Sequence, residues 1–227
     1  MSTEHSGPDK SFLSIVCVDV VALTYDRVAR RVLIGTHRRE IAPFRGKQAL
    51  PGVVVHSGER LRDAAGRALV KLGITTPTPA MGQLRTFDEP SRDPRGPSLS
   101  IAMWAALPDH TVLPQEPALW VPIDAAPPLV FDHNLMVDDA RAILAERLWR
   151  DADFTRNLTG SEFTATDAVA ITEQLSGAPP HRANLNRELA HTSGLIQAGI
   201  AAGTGGRPPK LWRWEAVTPA GSTQRMR

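Results

Sequence analysis

At 227 residues, 42% hydrophobic and 22% charged, the chain can build one large domain or two modest ones around a buried core. Its one cysteine, Cys17, excludes an intramolecular disulfide and a multi-cysteine metal site, which points to a cytoplasmic protein. The opening MSTEHSGPDK is polar without a basic lead-in, and the apolar run SIVCVDVVAL is short and carries Asp19, so neither a signal peptide nor a membrane segment is expected. The formal charge is +2, but it is unevenly spread: residues 1–160 carry 19 basic and 19 acidic side chains, whereas residues 181–213 carry five basic ones and only Glu188 as an acid. A local positive excess of this kind is what a nucleic-acid contact face requires.

In chain order, residues 11–23 read as a buried strand, TYDRVARR as a turn and VLIGTHR (32–38) as a second strand, making a hairpin. After a loop marked by Pro43, Gly46, Pro51 and Gly52, apolar residues recur at Leu61, Ala64, Ala65, Ala68, Leu69 and Leu72. This is the stripe of an amphipathic helix, with Gly73 placed to end it. Two strand-like runs then flank the polar loop FDEPSRDPRG, ALWVPID (118–124) reads as another strand, and residues 132–151 have helical periodicity through Leu135, Ala140, Ile143, Leu144 and Leu148. FTRNLTGSEF breaks the pattern and reads as a junction. Beyond it, residues 165–177 and 179–195 read as two helices, and IQAGIAAGTGGRPPKLWRWEAV as a Gly-rich hairpin. Two helices followed by a hairpin match a winged helix-turn-helix.

The segment PFRGKQALPGVVVHSGERLRDAAGRALVKLGI (43–74) resembles the Nudix box of pyrophosphohydrolases: glycine, five residues, Glu, seven residues, Arg-Glu-apolar, then a Glu pair and glycine. With Glu59 as the first Glu, Arg67 falls on the motif arginine, Val53 stands at the opening glycine, and Ala68, Lys71 and Leu72 stand where the later glutamates belong. Divalent cations of the Mg²⁺ kind need several oxygen ligands, and the box supplies them from glutamates one helical turn apart. A single remaining carboxylate, with Lys71 placing a positive charge where the cation should sit, predicts no metal-dependent catalysis.

With GRPPKLWRW (206–214) as a wing and FTATDAVAITEQLSG (163–177) as a first helix of the C-terminal part, residues 12–214 resemble the Nudix-related transcriptional regulators of NAD metabolism, the NrtR family. That resemblance implies an α/β protein: an N-terminal Nudix-fold α/β/α sandwich with a C-terminal winged helix-turn-helix. The expected bounds are a disordered N-terminus at 1–10, a ligand-sensing domain at 11–157, a DNA-binding domain at 158–218 and a disordered tail at 219–227. It also implies a homodimer, a repressor of NAD biosynthesis or salvage genes acting at an inverted-repeat DNA operator, and ADP-ribose as the effector, with no cofactor.

Arginine forks match diphosphate geometry, so the expected ligand contacts are Arg38 and Arg39, Glu59 on the remnant box, Phe87 as a stacking surface, and Arg92 and Arg95 in the following loop. On the second C-terminal helix, Leu185 and Leu189 form a buried i, i+4 pair, which turns Arg182, Asn184, Asn186 and Arg187 outward to base edges. The wing adds Arg207, Lys210 and Arg213, while Trp212 and Trp214 alternate with Arg213 as hairpin core. Two alternatives stay open. One is an active pyrophosphohydrolase of ADP-ribose-like nucleoside diphosphates using Asp88, Glu89 or Asp93; the other is a Nudix-fold regulator with a different effector.

Overall fold

The computed structural model describes residues 14–75, 80–108, 117–201 and 208–216. Strand β1 (Ile15–Asp26) is the spine of a seven-stranded mixed sheet. It runs antiparallel to β2 (Arg31–Arg38) through Leu23–Asp26, and antiparallel to β4 (Gly52–Val54) through Cys17–Asp19. The short β3 (Gln48–Ala49) and later β7 (Ala118–Pro122) both pair with β2. On its other side β1 lies parallel to β6 (Ser98–Ala106), which carries β5 (Ala80–Phe87) antiparallel at the edge.

Alternate side chains of a strand face opposite sides of its sheet, and β1 uses both faces. Val18, Val20 and Ala22 meet the apolar stripe of α1 (Leu61–Leu69), namely Ala64, Ala65, Ala68 and Leu69. The helix tightens into a 3₁₀ turn at Val70–Leu72 and stops at Gly73, whose φ of 72° suits a residue without Cβ. Val21, Leu23 and Tyr25 face the other core, formed by α2 (His133–Arg147) and α3 (Ala152–Thr159). The sandwich is therefore helix, sheet, helix.

Two expectations are corrected. Ala140, Leu144 and Leu148 are buried as expected, but the inward face at the start of α2 is His133, Met136 and Val137, and Leu135, which points away from that face, is 50% exposed. FTRNLTGSEF is not a break. Asp151 caps α3 by accepting from Phe154 N–H at 3.0 Å, Phe154 and Leu158 are buried, and the chain turns only at Gly160. Burying Phe154 alone contributes about 2–3 kcal/mol.

The C-terminal residues form the arrangement of a winged helix-turn-helix: β8 (Glu162–Thr164), α4 (Ala165–Ser176), α5 (Arg182–His191), β9 (Leu195–Ile200) and β10 (Lys210–Trp214), with sheet order β8-β10-β9. Thr164 and Asp167 make a reciprocal capping box, and Gly177 closes α4 in the left-handed region. This module is continuous with the second core, through Phe163, Ile171, Leu185 and Trp212. Polar bonds reinforce the seam: Tyr25 Oη donates to Asp167 at 3.0 Å, and Gln174 accepts from Val32 N–H and donates to the Arg30 carbonyl. Among the described residues no helix is long and apolar enough to cross a membrane. Arg207, expected in the wing, and the segments 1–10 and 219–227, expected to be disordered, lie outside the described residues.

Candidate ligand cleft and candidate nucleic-acid interface

Because β1 leaves β2 for β4, its first half borders an open cleft of about 200 Å³. Cys17 and Asp19 come from β1, Arg39 from the end of β2, Gly52 from β4 and Lys71 from the turn after α1. Arg92, Asp93 and Arg95 come from the β5–β6 loop, and Phe131 and His133 from the start of α2. A neighbouring hollow of about 410 Å³ shares Arg39, Ile41 and Lys71 and adds Arg38, His37 and Arg67. Together they reach the range of small-molecule sites.

The floor of the cleft is a buried polar network. Asp19 accepts from Ser100 Oγ at 2.6 Å and stands 3.5 Å from both Arg92 and His133. Arg92, 8% exposed, makes a two-pronged pair with Asp132 at 2.8 and 2.9 Å. Gly52 is required here, since a Cβ would fall 1.8 Å from Asp19 Oδ1. His133 Nδ1 accepts the Leu50 N–H at 2.9 Å, which places the ring proton on Nε2, facing Asp19.

Burial lowers the pKa of His133 and outweighs the pull of Asp19. The folded state therefore holds the neutral ring, and the unfolded chain binds more protons below about pH 6.5. Stability is full above that pH and falls as pH drops toward the depressed folded value; His37, also lowered chiefly by burial, adds in the same direction. Thermal unfolding followed from pH 7.5 to 5.5 should show the melting temperature falling. His133→Asn, which keeps an acceptor for Leu50, should flatten that slope; an unchanged slope would contradict the assignment.

Four cations line the cleft. Arg92 is paired with Asp132 and Arg95 with Asp93 at 2.6 Å. Arg39 donates to the Pro43 carbonyl at 2.7 Å and lies 4.9 Å from the Phe131 ring centroid, and Lys71 donates to the Gly52 carbonyl. Burial lowers the pKa of Lys71, with Arg39 adding to the effect. An anion entering the cleft thus meets two cations that have no carboxylate ion-pair partner among the described residues.

The expected ligand residues separate. Arg39, Arg92 and Arg95 line the cleft, and Arg38 borders the adjoining hollow, donating to the Gly46 carbonyl at 3.3 Å. Glu59 does not line it. Its carboxylate is gripped by Arg67 at 2.6 and 2.8 Å and by the His56 N–H, and those bonds hold its pKa down to about 2. This pair fastens the loop before α1 to the helix, and Arg67 also donates to the Val54 carbonyl. Phe87 offers no stacking surface. It is 5% exposed at the end of β5, part of the core, because an inward position on the strand takes the ring under the sheet. Phe131 is the aromatic wall instead, in a left-handed backbone (φ 58°) with guanidinium groups of Arg39 and Arg95 at 4.9 and 6.0 Å from its centroid. Sequence reasoning missed it, along with Asp19, Asp132 and His133; only the buried charge in SIVCVDVVAL gave any signal.

The residues do not fit the metal ion of a Nudix hydrolase. Among the described residues no group of three or more His, Cys, Asp and Glu is placed to hold one. Asp19 is already committed to Ser100, Arg92 and His133, Glu59 to Arg67, and the Lys71 ammonium occupies the cleft. Of the acids weighed for catalysis, Asp93 is held by Arg95, and Asp88 and Glu89 are exposed.

On the C-terminal module, α5 buries Leu185 and Leu189 and exposes Arg182, Asn184 and Arg187. Arg187 donates to Asn184 Oδ1 at 2.8 Å. Asn186 is not outward. It is half-buried beside Leu185 and Leu189, its Nδ2 donates to the Arg182 carbonyl, and it lines a hollow against α4 and Pro208–Lys210. Lys210 is exposed, 5.9 Å from the Trp212 ring centroid, and Arg213 is paired with Glu162 on the neighbouring strand. Trp212 and Trp214 are buried, 1% and 4% exposed, and hold the hairpin core.

The chain therefore has the architecture of a Nudix-fold sandwich with a helix-turn-helix module fused to its C-terminal side. No protein-family model and no curated protein sequence matches the chain. Among solved structures it is similar to NrtR of Shewanella oneidensis in complex with a 27mer DNA, at 25% identity and a TM-score of 0.71, covering 88% of this chain and 93% of that one. The Nudix domain of the same protein complexed with ADP ribose matches 60% of this chain and 92% of its own length, at 25% identity and a TM-score of 0.50. A MutT/nudix family protein from Enterococcus faecalis shares the fold at 21% identity and a TM-score of 0.64, covering 90% of this chain and 89% of that one. The similarity to NrtR thus extends over both the N-terminal sandwich and the C-terminal module.

Proposed function

We propose that this protein is a DNA-binding transcriptional regulator whose Nudix cleft senses a nucleoside diphosphate, with ADP-ribose as the effector, and does not hydrolyse it. The observation that carries the reading is the division of α5: Leu185 and Leu189 are buried, while Arg182, Asn184 and Arg187 are exposed on one short helix. A recognition helix needs this division, since its buried pair fixes the outward side chains against base edges. Support comes from the two NrtR structures, one with DNA and one with ADP ribose. The cleft adds cationic and aromatic groups suited to a diphosphate and a base or sugar.

In this reading the protein represses genes of NAD biosynthesis or salvage. One module reads few bases, so a homodimer on an inverted repeat supplies adequate specificity. The ligand acts by preferring one arrangement of the two DNA-binding modules. The bounds remain part of the proposal, 11–157 for the ligand-sensing part and 158–218 for the DNA-binding part, and α3 runs across the junction between them.

Purified protein should retard DNA from upstream of NAD-synthesis genes in a mobility-shift assay, and ADP-ribose should change the fraction bound. The same preparation, incubated with ADP-ribose and Mg²⁺ or Mn²⁺, should release no AMP above the buffer control. Robust metal-dependent cleavage would replace the sensor by an enzyme, and retardation insensitive to ADP-ribose would assign another effector.

A further inference from the structure

We infer that Lys71 is a built-in replacement for the divalent cation of a Nudix site, so that this cleft binds a diphosphate without metal. The inference rests on the cleft being the effector site, and it concerns how the anion is neutralised there.

Lys71 sits in the tight turn that ends the box helix, at the position of a box glutamate. Its side chain reaches back to the Gly52 carbonyl and lines both the cleft and the adjoining hollow. A glutamate there would bring a negative charge that requires a metal ion to bridge it to an anionic ligand; a lysine brings the positive charge directly. The surrounding groups agree with that exchange. Arg92 and Arg95 are satisfied by Asp132 and Asp93, whereas Lys71 and Arg39 donate to backbone carbonyls and form no ion pair with a carboxylate among the described residues. Lys71 feels the opposing charge of Arg39 more strongly than the attraction of Asp19, so an anion entering between the two cations relieves their repulsion. Asp19, the remaining acid of the cleft wall, is held by Ser100, Arg92 and His133, so a divalent ion would have to break that network and face the Lys71 ammonium. The same substitution thus favours retention of a diphosphate and removes the means of cleaving it.

The test is titration calorimetry on the full chain with two probes, ADP-ribose and inorganic pyrophosphate, each in EDTA and in Mg²⁺. The wild-type dissociation constant should agree between the two buffers within about twofold, because no metal takes part. Lys71→Met should weaken both probes at least tenfold, and Lys71→Arg should keep binding within about threefold, with melting temperatures showing that both variants are folded. Lys71→Glu should bind weakly in EDTA and regain affinity in Mg²⁺. Wild-type binding lost in EDTA, or a folded Lys71→Met that binds as the wild type does, would overturn the inference. If the wild type ignores ADP-ribose but takes pyrophosphate in EDTA through Lys71, the ADP-ribose assignment fails and the inference stands. If neither probe binds in either buffer, both fail.

Discussion

Replacing Arg182 and Arg187 together by alanine is expected to weaken binding to the operator by roughly a hundredfold while leaving the fold intact. Both side chains are exposed on α5, so their loss removes no core contact. A bidentate arginine–guanine contact is worth about 1–3 kcal/mol of discrimination, and a phosphate contact lowers the slope of log affinity against log salt by about 0.9. Two such losses give roughly one to four orders of magnitude. Fluorescence anisotropy with operator and random duplexes at several salt concentrations separates the two kinds of contact. Base readers lose discrimination between the duplexes, whereas phosphate anchors lose affinity for both and flatten the slope. A double variant that binds as the wild type does would remove α5 as the recognition helix. Charge reversal at Lys210 should act by the phosphate route, since its ammonium is exposed at the start of β10. Arg213 should matter less, because Glu162 already neutralises it.

Arg92→Ala should cost about 3–5 kcal/mol of stability, the range seen when one partner of a buried ion pair is removed. The guanidinium side chain is 4% exposed, and it is the group between Asp132 at 2.8 Å and Asp19 at 3.5 Å. Its loss leaves two carboxylates close together with little water to separate them. For a chain of this size the change corresponds to a fall in melting temperature of roughly 6–20 °C. Adding Asp132→Asn should recover part of the loss, because it removes one of the stranded charges. A single variant that melts within two degrees of the wild type, which corresponds to about 1 kcal/mol or less, would show that the network is less coupled than its geometry implies. The cleft should suffer with the fold, since Arg92 lines it and holds Asp132 at the start of α2.

These two results concern different ends of one connected structure. Asp19 and Tyr25 lie on the same face of β1, six residues apart. The first belongs to the cleft, and the second donates to Asp167, the capping residue of α4. Helix α2 makes a parallel connection, with His133 in the cleft and Arg141 donating to the Gln174 carbonyl at the end of α4. A ligand that shifts the floor of the cleft has two packed elements through which to bias the helix-turn-helix module, provided that it prefers one of its arrangements.

The sequence by itself determined those features that depend on near neighbours along the chain. Apolar residues three and four apart placed the start of α1 at Leu61, Gly73 marked the end of the turn that follows it, and the spacing from Glu59 to Arg67 set the register of the resemblance to the box. Leu185 with Leu189, and Trp212 alternating with Arg213, also declared their buried sides, because periods of 3.6 and 2 fix which side chains share a face. What only the tertiary structure decided were pairings across long stretches of chain: Arg92 with Asp132, Asp19 with Ser100, Tyr25 with Asp167. Periodicity cannot say which of two faces of a strand meets the core and which meets a cleft, so Phe87 went inward while Phe131 came out as the cleft wall. Nor can it say that an isolated carboxylate already has a partner. Glu59 read as a remnant ligand, and the fold spends it on Arg67; Lys71 read as a lost glutamate, and the fold turns its ammonium into the cleft, where burial among other cations makes its charge count.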